Sequence, residues 1–375
     1  MEKTRRAFLA AAGVTAAAGC LGGSDSEGGT PTEAAGDGAA TATPTATETA
    51  TPEPEPEVSE VSLLLNWKPS GLHVPYYAAR AEGFYEAEGL TVGKIESGQG
   101  SDFSAKQVGL GNTAFGITSA DQVLNVNSRE LSPRSVGVVM QKSPVVLFTV
   151  REEFGEELTD AEQLAGATVG TGPGMVRLLS RLLLEEEGVL GDVELVDTGY
   201  DTVQQLLSGE IDAAGGVFGD VVDARHEGPT VDLLRVASAV PSYGHVVATD
   251  GAFAEENPAT VRAFLRATAR GSAWAAANPE AATDRLVEAV PALEESRDRQ
   301  RDKWRLMSED FVLSETVRRE GWGWSSPDPW TTMHGALADA DLLESEVDPA
   351  SVWTNDYLDR DYEYVGSYAD VAGDG

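Results

Sequence analysis

The sequence predicts an α/β protein whose folded body consists of two lobes, each built around its own sheet. From Val61 onward, short apolar runs alternate with segments of helical periodicity, which is typical of helices packed on mostly parallel strands. The alternation restarts after a continuous apolar run from Val145 to Val150, and a later run from His245 to Thr249 can return the chain to the first lobe. Two lobes joined by two crossover strands predict a hinged clamp with a ligand site between them.

Apolar runs of four to six residues predict the strands of both lobes. In the first lobe we expect strands at Ser62 to Leu65, Val92 to Glu96, Phe115 to Thr118 and Val136 to Met140, with helices at Pro75 to Glu88 and Asp102 to Val108. In the second lobe we expect strands at Thr168 to Gly170, Val193 to Val196, Ala213 to Val217 and Leu233 to Val236, with helices at Met175 to Glu187, Thr202 to Leu207 and Asp220 to His226. The predicted boundaries are residues 60–146 with 246–360 for the first lobe and 147–245 for the second.

The end of the chain is predicted to be helical and to complete the first lobe. Asn257-Pro258 and Asn278-Pro279 each place an asparagine at a helix N-cap and a proline at the first helical position. Three tryptophans close together in sequence, Trp322, Trp324 and Trp330, are expected to dock this helical part by packing.

The first twenty residues have the features of an export signal. Arg5-Arg6 precedes an Ala-rich apolar run that ends at Ala18 and is too short to span a bilayer. The arginine pair indicates the twin-arginine pathway, and Ala17-Ala18-Gly19-Cys20 resembles a lipoprotein cleavage box. Cys20 is the only cysteine of the chain, so it has no partner for an intramolecular disulfide. We therefore expect residues 1–20 to be a lipoprotein signal with Cys20 as the acylated residue.

Residues 21–59 are predicted to be a disordered tether. The segment contains no Lys or Arg and consists mainly of Gly, Ser, Thr, Pro, Ala and Glu, a composition that cannot bury enough apolar surface to fold. Proline and like charge both extend such a chain, so the tether would hold the folded body away from the membrane.

The charge balance limits the possible partners. Asp and Glu number 62 against 27 Lys and Arg, giving a formal net charge of -35, which repels nucleic acid and anionic membrane surfaces. The acidic residues are spread along the chain, which favours a solvated surface adapted to high salt. We predict no nucleic-acid partner, and membrane contact only through the lipid anchor.

The loop after the first predicted strand offers groups suited to a planar ligand. It reads Asn66-Trp67-Lys68-Pro69-Ser70-Gly71-Leu72-His73 and is followed by Tyr76-Tyr77. Asparagine supplies a donor beside an acceptor, and Trp, His and Tyr supply flat faces on which a ring can stack. This combination favours a neutral or cationic heterocycle, whereas Trp67 and Tyr76 could equally be ordinary core aromatics.

Two glycine-rich turns precede predicted helices at the same edge of the lobes. Gly98-Gln99-Gly100-Ser101 comes before the helix from Asp102, and Gly172-Pro173-Gly174 comes before the helix from Met175. A sulfonate or carboxylate could bind between two such helix N-termini. No arginine stands close to either turn, although Arg177 lies one turn inside the second helix. This scarcity of positive charge favours a planar nitrogen ring over an anion.

These segments resemble a known family of binding proteins. The likeness is carried by Asn66-Trp67-x-Pro69, His73, Tyr77, Ala79-x-x-x-Gly83-Phe84-Tyr85-x-x-Glu88-Gly89-Leu90, Gly116 to Leu124, Lys142-Ser143-Pro144, Val169 to Gly174, Leu207 to Ala213, Asn257-Pro258, Trp330 and Trp353 to Leu358. In this order they resemble the solute-binding proteins of importers for thiamine pyrimidine precursors, namely hydroxymethylpyrimidine or formylaminomethylpyrimidine, within the wider group that serves nitrate, sulfonate and taurine importers. The resemblance covers the chain from about Val61 to Leu358.

The resemblance implies a periplasmic-binding-protein-like fold of type II and a set of ligand contacts. The implied contacts are Asn66, Trp67, His73, Tyr77, Ser119, Gln122, Ser143, Gly172, Gly174, Phe218, Asp220 and Tyr243. The chain departs from the pyrimidine branch at Ser70, where a second asparagine is usual, and at Pro75, where a glycine is usual. It also has Phe218 where the branch tends to have tyrosine, and it lacks the glutamate that follows a little later for the pyrimidine amino group. Either Asp220 or Asp223 replaces that acid, or the ligand differs.

The resemblance predicts an extracellular lipoprotein of an ABC importer, acting as a monomer with a membrane permease and an ATPase as partners. No cofactor and no metal site are expected, since the four histidines are scattered and the chain lacks G-x-S-x-G, H-E-x-x-H and C-x-x-C motifs. Three alternatives stay open: a sulfonate, taurine or nitrate binder of the same fold, a surface adhesin or sensor ectodomain, and a pyrimidine synthase. The synthases of this fold carry a cysteine-rich motif, and this chain has no cysteine after Cys20.

Overall fold

The computed structural model describes residues 54–199 and 201–373. The predicted leader, the acylation of Cys20 and the predicted tether as far as residue 53 therefore lie outside the described residues. Within the described part, the predicted α/β class is confirmed, because the strands form two separate five-stranded sheets with helices packed on them.

The strands agree closely with the apolar runs of the sequence. Their bounds are β1 Glu60–Leu64, β2 Thr91–Glu96, β3 Phe115–Ser119, β4 Pro133–Val138, β5 Val145–Val150, β6 Thr168–Thr171, β7 Glu194–Asp197, β8 Ala213–Val217, β9 Val231–Arg235 and β10 His245–Asp250. Both β5 and β8 are buried almost throughout, which explains why they appear in the sequence as continuous apolar runs rather than alternating ones.

The two sheets share one topology. The first has the order β2-β1-β3-β10-β4, and the second has the order β7-β6-β8-β5-β9. In each sheet one strand is antiparallel to both neighbours, β10 in the first and β5 in the second. These are the first strands after the chain has passed between lobes, so residues 139–144 and 239–244 connect the two halves.

The helices of the described part surround these sheets. Their bounds are α1 Val74–Ala81, α2 Phe84–Ala87, α3 Ser101–Gly109, α4 Ala120–Asn127, α5 Arg151–Phe154, α6 Met175–Glu186, α7 Thr202–Leu207, α8 Phe218–His226, α9 Gly251–Glu256, α10 Pro258–Ala277, α11 Pro279–Ala289, α12 Arg297–Leu306, α13 Glu315–Glu320, α14 Pro327–Asp339, α15 Glu363–Gly366 and α16 Tyr368–Val371. A π-helical turn, Met307–Val312, follows α12 directly. The helix predicted from Pro75 to Glu88 is two helices, because Gly83 adopts a left-handed conformation with φ 72°.

The two Asn-Pro pairs begin helices as predicted, but the asparagine side chains donate hydrogen bonds to the preceding helix rather than accept them from the helix that follows. Asn257 and Asn278 occupy the N-cap positions of α10 and α11 and accept no hydrogen bond there. Their Nδ2 atoms instead donate to the carbonyl oxygens of Phe253 and Trp274, each at 2.9 Å. Each asparagine therefore satisfies a carbonyl at the end of the preceding helix.

The folded body begins before the predicted end of the tether at residue 59. The Glu57 carboxylate accepts hydrogen bonds from the backbone nitrogens of Ala259 (3.1 Å) and Thr260 (2.9 Å), at the N-terminus of α10. The backbone nitrogen of Val58 donates to Thr260 Oγ1 at 3.0 Å. A carboxylate at a helix N-terminus stabilises the unpaired backbone N–H groups, so Glu57 fastens the chain to α10.

The C-terminal helices pack on the first lobe through large aromatic residues. Trp304, Trp322 and Trp330 are fully buried, and Trp304 Nε1 donates to the carbonyl of Ala275 at 2.8 Å. Within residues 54–199 and 201–373, none of the helices combines the length and the apolar character that a membrane span needs.

Candidate ligand-binding cleft

A cleft of about 490 Å³ lies between the two lobes and is lined by both. It sits at the carboxyl ends of β1 and β3, where loops of parallel strands meet. The side chains and backbone that line it belong to Asn66, Trp67, Gly100, Ser101, Asp102, Ser119, Asp121, Gln122, Ser143, Pro144, Val145, Pro173, Met175, Val176, Leu179, Val217, Tyr243, Gly244, His245 and Met333. This size is within the range of small-molecule sites.

The loop carrying Asn66 and Trp67 is held by the glycine-rich turn before α3. The nitrogen of Gly98 donates to the Trp67 carbonyl at 3.1 Å, and the nitrogen of Gly100 donates to the Asn66 carbonyl at 2.8 Å. A Cβ atom on Gly98 would lie 2.0 Å from the Leu65 carbonyl oxygen, so the close approach requires glycine. Trp67 is 53% exposed, which leaves its ring available in the cleft.

The side chain of Asn66 lies between two buried histidines. Its Oδ1 is 2.8 Å from His73 Nε2, and its Nδ2 is 3.0 Å from His245 Nε2. The two imidazoles are stacked, with ring centroids 5.9 Å apart and an interplanar angle of 15°. His73 does not line the cleft, so its place is behind Asn66, whereas His245 does line it. The sequence analysis did not include His245 among the contacts.

Burial keeps both histidines neutral. Desolvation lowers the pKa of His245 to about 4. Desolvation, assisted by the neighbouring His245, holds the pKa of His73 well below its usual value of 6.5. The group at the end of β1 is therefore an uncharged hydrogen-bonding unit at neutral pH.

A buried carboxylate on α4 is a further cleft residue that the sequence analysis missed. Asp121 is 6% exposed, and Gln122 Nε2 donates to its Oδ2 at 2.7 Å. Burial raises the pKa of the Asp121 carboxyl, against the opposing effect of hydrogen bonds from Ser119 and Gln122. The signal in the sequence was its place two residues after the end of the buried strand β3.

The cleft surface has no basic side chain among the described residues that line it. Asp102 and Asp121 are the acidic residues in that lining, and His245 is neutral. Such a surface attracts cationic or amino-bearing groups and disfavours anions.

The other predicted contacts within the cleft are Ser119, Gln122, Ser143 and Tyr243. Ser143 is almost fully buried, and its Oγ accepts a hydrogen bond from the Val145 nitrogen at 3.3 Å. The Tyr243 hydroxyl accepts from the Ser326 nitrogen at 2.7 Å, and its ring meets Trp330 edge to face at 6.0 Å. The C-terminal part thus fixes the orientation of Tyr243.

Tyr77 and the two predicted glycine contacts lie away from the cleft lining. Tyr77 is 5% exposed and belongs to the core of the first lobe, and its burial raises the pKa of the phenol to about 12. Gly172 is required for packing, because a Cβ there would lie 2.8 Å from the Gly199 carbonyl oxygen. Gly174 has φ 75° and supports the turn into α6, while Pro173 between them does line the cleft.

Phe218 and Asp220, both predicted to contact a ligand, hold the fold together instead. Phe218 is fully buried and stacks on Phe311 of the π-helical turn, with centroids 4.3 Å apart. Asp220 Oδ2 accepts from the Val217 nitrogen at 2.8 Å, which caps α8. Asp223, the alternative acid, is 2.8 Å from Lys303 Nζ and does not line the cleft. Neither acid is placed to receive an amino group from a cleft ligand.

A second cavity of about 540 Å³ adjoins the cleft, and Asp102, Gln122 and Met175 line both. Arg129, Arg177 and Arg181 contribute to its wall. Arg177 Nη1 donates to Thr171 Oγ1 at 3.1 Å and to the Val196 carbonyl at 3.0 Å, so this guanidinium is committed to the edge of the second sheet. The two cavities are therefore neighbours that share part of one wall, and the arginines belong to the wall of the second cavity.

The two matching five-stranded sheets with a cleft between them have the periplasmic-binding-protein fold. The periplasmic aliphatic sulphonate binding protein SsuA of Escherichia coli superimposes with a TM-score of 0.61 at 13% identity, covering 79% of this chain and 92% of SsuA. The periplasmic nitrate-binding protein NrtA of Synechocystis PCC 6803 superimposes with a TM-score of 0.58 at 12% identity, covering 86% of this chain and 93% of NrtA. At these identities the likeness establishes the fold.

The chain belongs to the NMT1/THI5 like family, whose sequence profile matches residues 71–282. A riboflavin-binding protein of Chloroflexus aurantiacus is 26% identical over 308 residues, covering 80% of this chain and 86% of that protein. A formylaminopyrimidine-binding protein of Halalkalibacterium halodurans is 27% identical over 236 residues, covering 60% and 69%. A 4-amino-5-hydroxymethyl-2-methylpyrimidine phosphate synthase of Legionella pneumophila is 24% identical over 251 residues, covering 63% and 75%. The predicted family resemblance is therefore confirmed.

Proposed function

We propose that this chain is the substrate-binding lipoprotein of an ABC importer and that it binds a planar nitrogen heterocycle, such as a thiamine pyrimidine precursor, in the interlobe cleft. The observation that carries the proposal is the cleft surface itself. It combines the exposed ring of Trp67, the fixed amide of Asn66 and the buried carboxylate of Asp121, without a lysine or arginine among the described residues of its lining.

Each of these groups suits one property of such a ligand. A half-exposed tryptophan offers a face for stacking an aromatic ring. The amide of Asn66 can exchange hydrogen bonds with ring nitrogens or exocyclic oxygens, and the Asp121 carboxylate can accept from an amino group. Closure of the two lobes would bring residues such as Val176 and Leu179 against the same ring and exclude water.

The cellular role rests on the leader and on the family. Export by the twin-arginine pathway, lipid attachment at Cys20 and a position on the outer face of the membrane follow from the order of arginine pair, apolar run and cysteine. A monomeric capture protein that delivers its ligand to a permease and an ATPase is consistent with the fold of the transport proteins named above. Cys20→Ser would then release the protein into the medium, and continued membrane retention of that variant would contradict the anchor.

A thermal-shift screen followed by calorimetry tests the ligand class. The compounds are 4-amino-5-hydroxymethyl-2-methylpyrimidine, its formylamino analogue, riboflavin, taurine, an alkylsulfonate and nitrate. We expect stabilisation by at least one heterocycle and by none of the anions. Stabilisation by a sulfonate or nitrate alone would overturn the proposal in favour of the anion-binding alternative.

Riboflavin is the second candidate because of the length of the site. Gln122 and Met175 line both the cleft and the adjoining cavity, so a larger ring system with a polar chain would extend from one towards the other. A relative that covers 80% of this chain is a riboflavin-binding protein. Tighter binding of riboflavin than of either pyrimidine would select this candidate.

Enzymatic pyrimidine synthesis is not part of the proposal. The synthases to which the chain is similar would be expected to carry a cysteine-rich motif, and the one cysteine here is Cys20 in the leader. We expect the purified protein to form no pyrimidine product, and formation of such a product would reverse this assignment.

A further inference from the structure

The hydrogen bonds around Asn66 have a direction that a backbone group fixes. The Ser70 nitrogen lies 3.2 Å from His73 Nδ1, and a backbone N–H can only donate. His73 Nδ1 is therefore the acceptor, and the single proton of this neutral imidazole is on Nε2.

The tautomer of His73 in turn determines the orientation of the Asn66 amide. With its proton on Nε2, His73 donates to Asn66 Oδ1 across 2.8 Å. The opposite amide orientation would place the Asn66 NH₂ group against the His73 N–H, donor against donor. Asn66 Nδ2 consequently faces His245 and donates to its Nε2 across 3.0 Å.

The chain of bonds ends on an unsatisfied donor. Because His245 Nε2 accepts and the ring is neutral, the proton of His245 is on Nδ1. His245 is 5% exposed, and its Nδ1 is buried without a hydrogen-bond partner among the described residues. A buried N–H that stays unpaired is unfavourable, so a partner is expected from outside the protein.

His245 is also in the right place to meet a ligand. It lines the cleft at the start of β10, opposite Ser119 in the antiparallel register. The backbone nitrogen of Ala120, which follows Ser119, donates a hydrogen bond to the carbonyl oxygen of Gly244 at 3.3 Å. The acceptor carboxylate of Asp121 is therefore in the segment that runs beside His245.

We propose that His245 is a specificity-determining residue. The hydrogen bonds of Ser70, His73 and Asn66 keep the proton of His245 on Nδ1, so Nδ1–H is a donor. A ligand must therefore present an acceptor to it, either an unprotonated ring nitrogen or a carbonyl oxygen. This inference rests on the proposed function and deepens it. His73 is a positioning residue in this arrangement, since it lies behind Asn66 and acts on the ligand only through the orientation of the amide. A ligand whose matching atom carries hydrogen would place two donors against each other and bind weakly.

The direction of the bonds can be measured without any ligand. Two-dimensional ¹⁵N–¹H spectra distinguish the two tautomers of neutral histidine, and the chain contains only four histidines, at positions 73, 226, 245 and 334. Spectra of His73→Phe, His226→Phe and His245→Phe assign three signals by their disappearance and the signal of His334 by elimination. We expect His73 as the Nε2–H tautomer and His245 as the Nδ1–H tautomer; a proton on Nε2 of His245 would overturn the inference.

The role in binding is measured with the same variants. With 4-amino-5-hydroxymethyl-2-methylpyrimidine or riboflavin as the probe, His245→Phe keeps a flat ring beside His73 and removes the Nδ1 donor together with the Nε2 acceptor of Asn66. We expect it to weaken binding about tenfold to hundredfold, the usual effect of leaving one buried polar group unpaired. His226→Phe is the matched control, because His226 pairs with Asp302 at 2.9 Å away from the cleft lining; its affinity should equal that of the wild type.

The outcomes separate this inference from the proposed function. Probe binding that is unchanged in a folded His245→Phe variant would contradict the specificity role while leaving the heterocycle site intact. Failure of every heterocycle to bind the wild type would contradict the proposed function and with it the ligand requirement, whereas the tautomer measurement would still decide the direction of the bonds. Loss of binding in His73→Phe with the fold retained would support positioning through Asn66.

Discussion

The two lobes meet in two regions that have opposite properties. At the cleft they face each other across an open space lined by neutral polar groups, carboxylates and a half-exposed tryptophan. At the second region, which we call the helical interlobe contact, α8 packs directly against α12 and the π-helical turn. This contact contains the Phe218–Phe311 stack, the Lys303–Asp223 pair at 2.8 Å and the Arg299–Glu227 pair at 3.1 Å.

The difference shows which region holds the lobes together and which can change. Separation of Phe218 from Phe311 would expose two fully buried aromatic side chains, so a hinge motion that opens the cleft must leave the helical interlobe contact packed. Acidic residues have different roles in the cleft and in the helical interlobe contact. Lys303 in the contact has the opposite charge of Asp223 beside it, whereas Asp121 in the cleft accepts hydrogen bonds from the neutral side chains of Ser119 and Gln122.

The largest expected effect is on the packed side of this comparison. Phe218→Ala should lower the free energy of unfolding by about 3 to 5 kcal/mol, because it removes a fully buried aromatic side chain and leaves a cavity. Leu110→Ala, at a position that is 56% exposed, is the control and should have little effect. Chemical denaturation measures both; a small loss for Phe218→Ala would mean that the contact opens freely.

Acid should destabilise the protein through the buried histidines. The pKa of His245 is about 4 when folded against 6.5 unfolded, so the unfolded chain takes up the proton first. The stabilisation is fully present above pH 6.5 and is lost as pH falls towards 4, at about 1.4 kcal/mol per pH unit per histidine. Denaturation at several pH values should show that the free energy of unfolding falls less steeply with decreasing pH in His245→Phe than in the wild type. Equal slopes for the two proteins would refute the lowered pKa of His245.

The next effect is on ligand affinity at the cleft. Trp67→Ala should weaken binding of a heterocyclic probe by about 1 to 3 kcal/mol, the range for a ring stacked on an aromatic side chain, with almost no change in stability because Trp67 is 53% exposed. Trp324→Ala is the matched tryptophan control outside the cleft lining. Calorimetry checks the affinity, and equal binding by the two variants would remove Trp67 from the site.

The smallest effect should come from the ion pairs of the helical interlobe contact. Lys303 and Asp223 side chains are 12% and 33% exposed, and Lys303→Met should lower the free energy of unfolding by roughly 1 kcal/mol at low salt and less at high salt. The exposed Lys94, replaced by methionine, serves as control. A loss of several kcal/mol that persists in high salt would show that this pair, rather than the aromatic stack, dominates the contact.

The local sequence pattern predicted the bounds of strands and helices well, but it predicted which groups the side chains contact less well. The run from Val145 to Val150 and the helix from Thr202 to Leu207 have the bounds that the sequence predicts, because periodicity and turn residues act over a few neighbours. Phe218 and Asp220 follow a strand of the second sheet just as Asn66 follows a strand of the first. The Phe218 ring nevertheless stacks on Phe311 of the π-helical turn, and the Asp220 carboxylate accepts from the Val217 nitrogen at the start of α8.

The sequence by itself determined the α/β class, the two lobes, most strand bounds and the loop that supplies Asn66 and Trp67, because apolar periodicity and glycine-rich turns are local properties of the chain. Only the tertiary structure decided that His73 lies behind Asn66, that His245 completes the group from 179 residues away, and that Asp121 is the buried acid of the cleft. Hydrogen-bond direction and burial depend on which distant segments meet, and no local pattern carries that information.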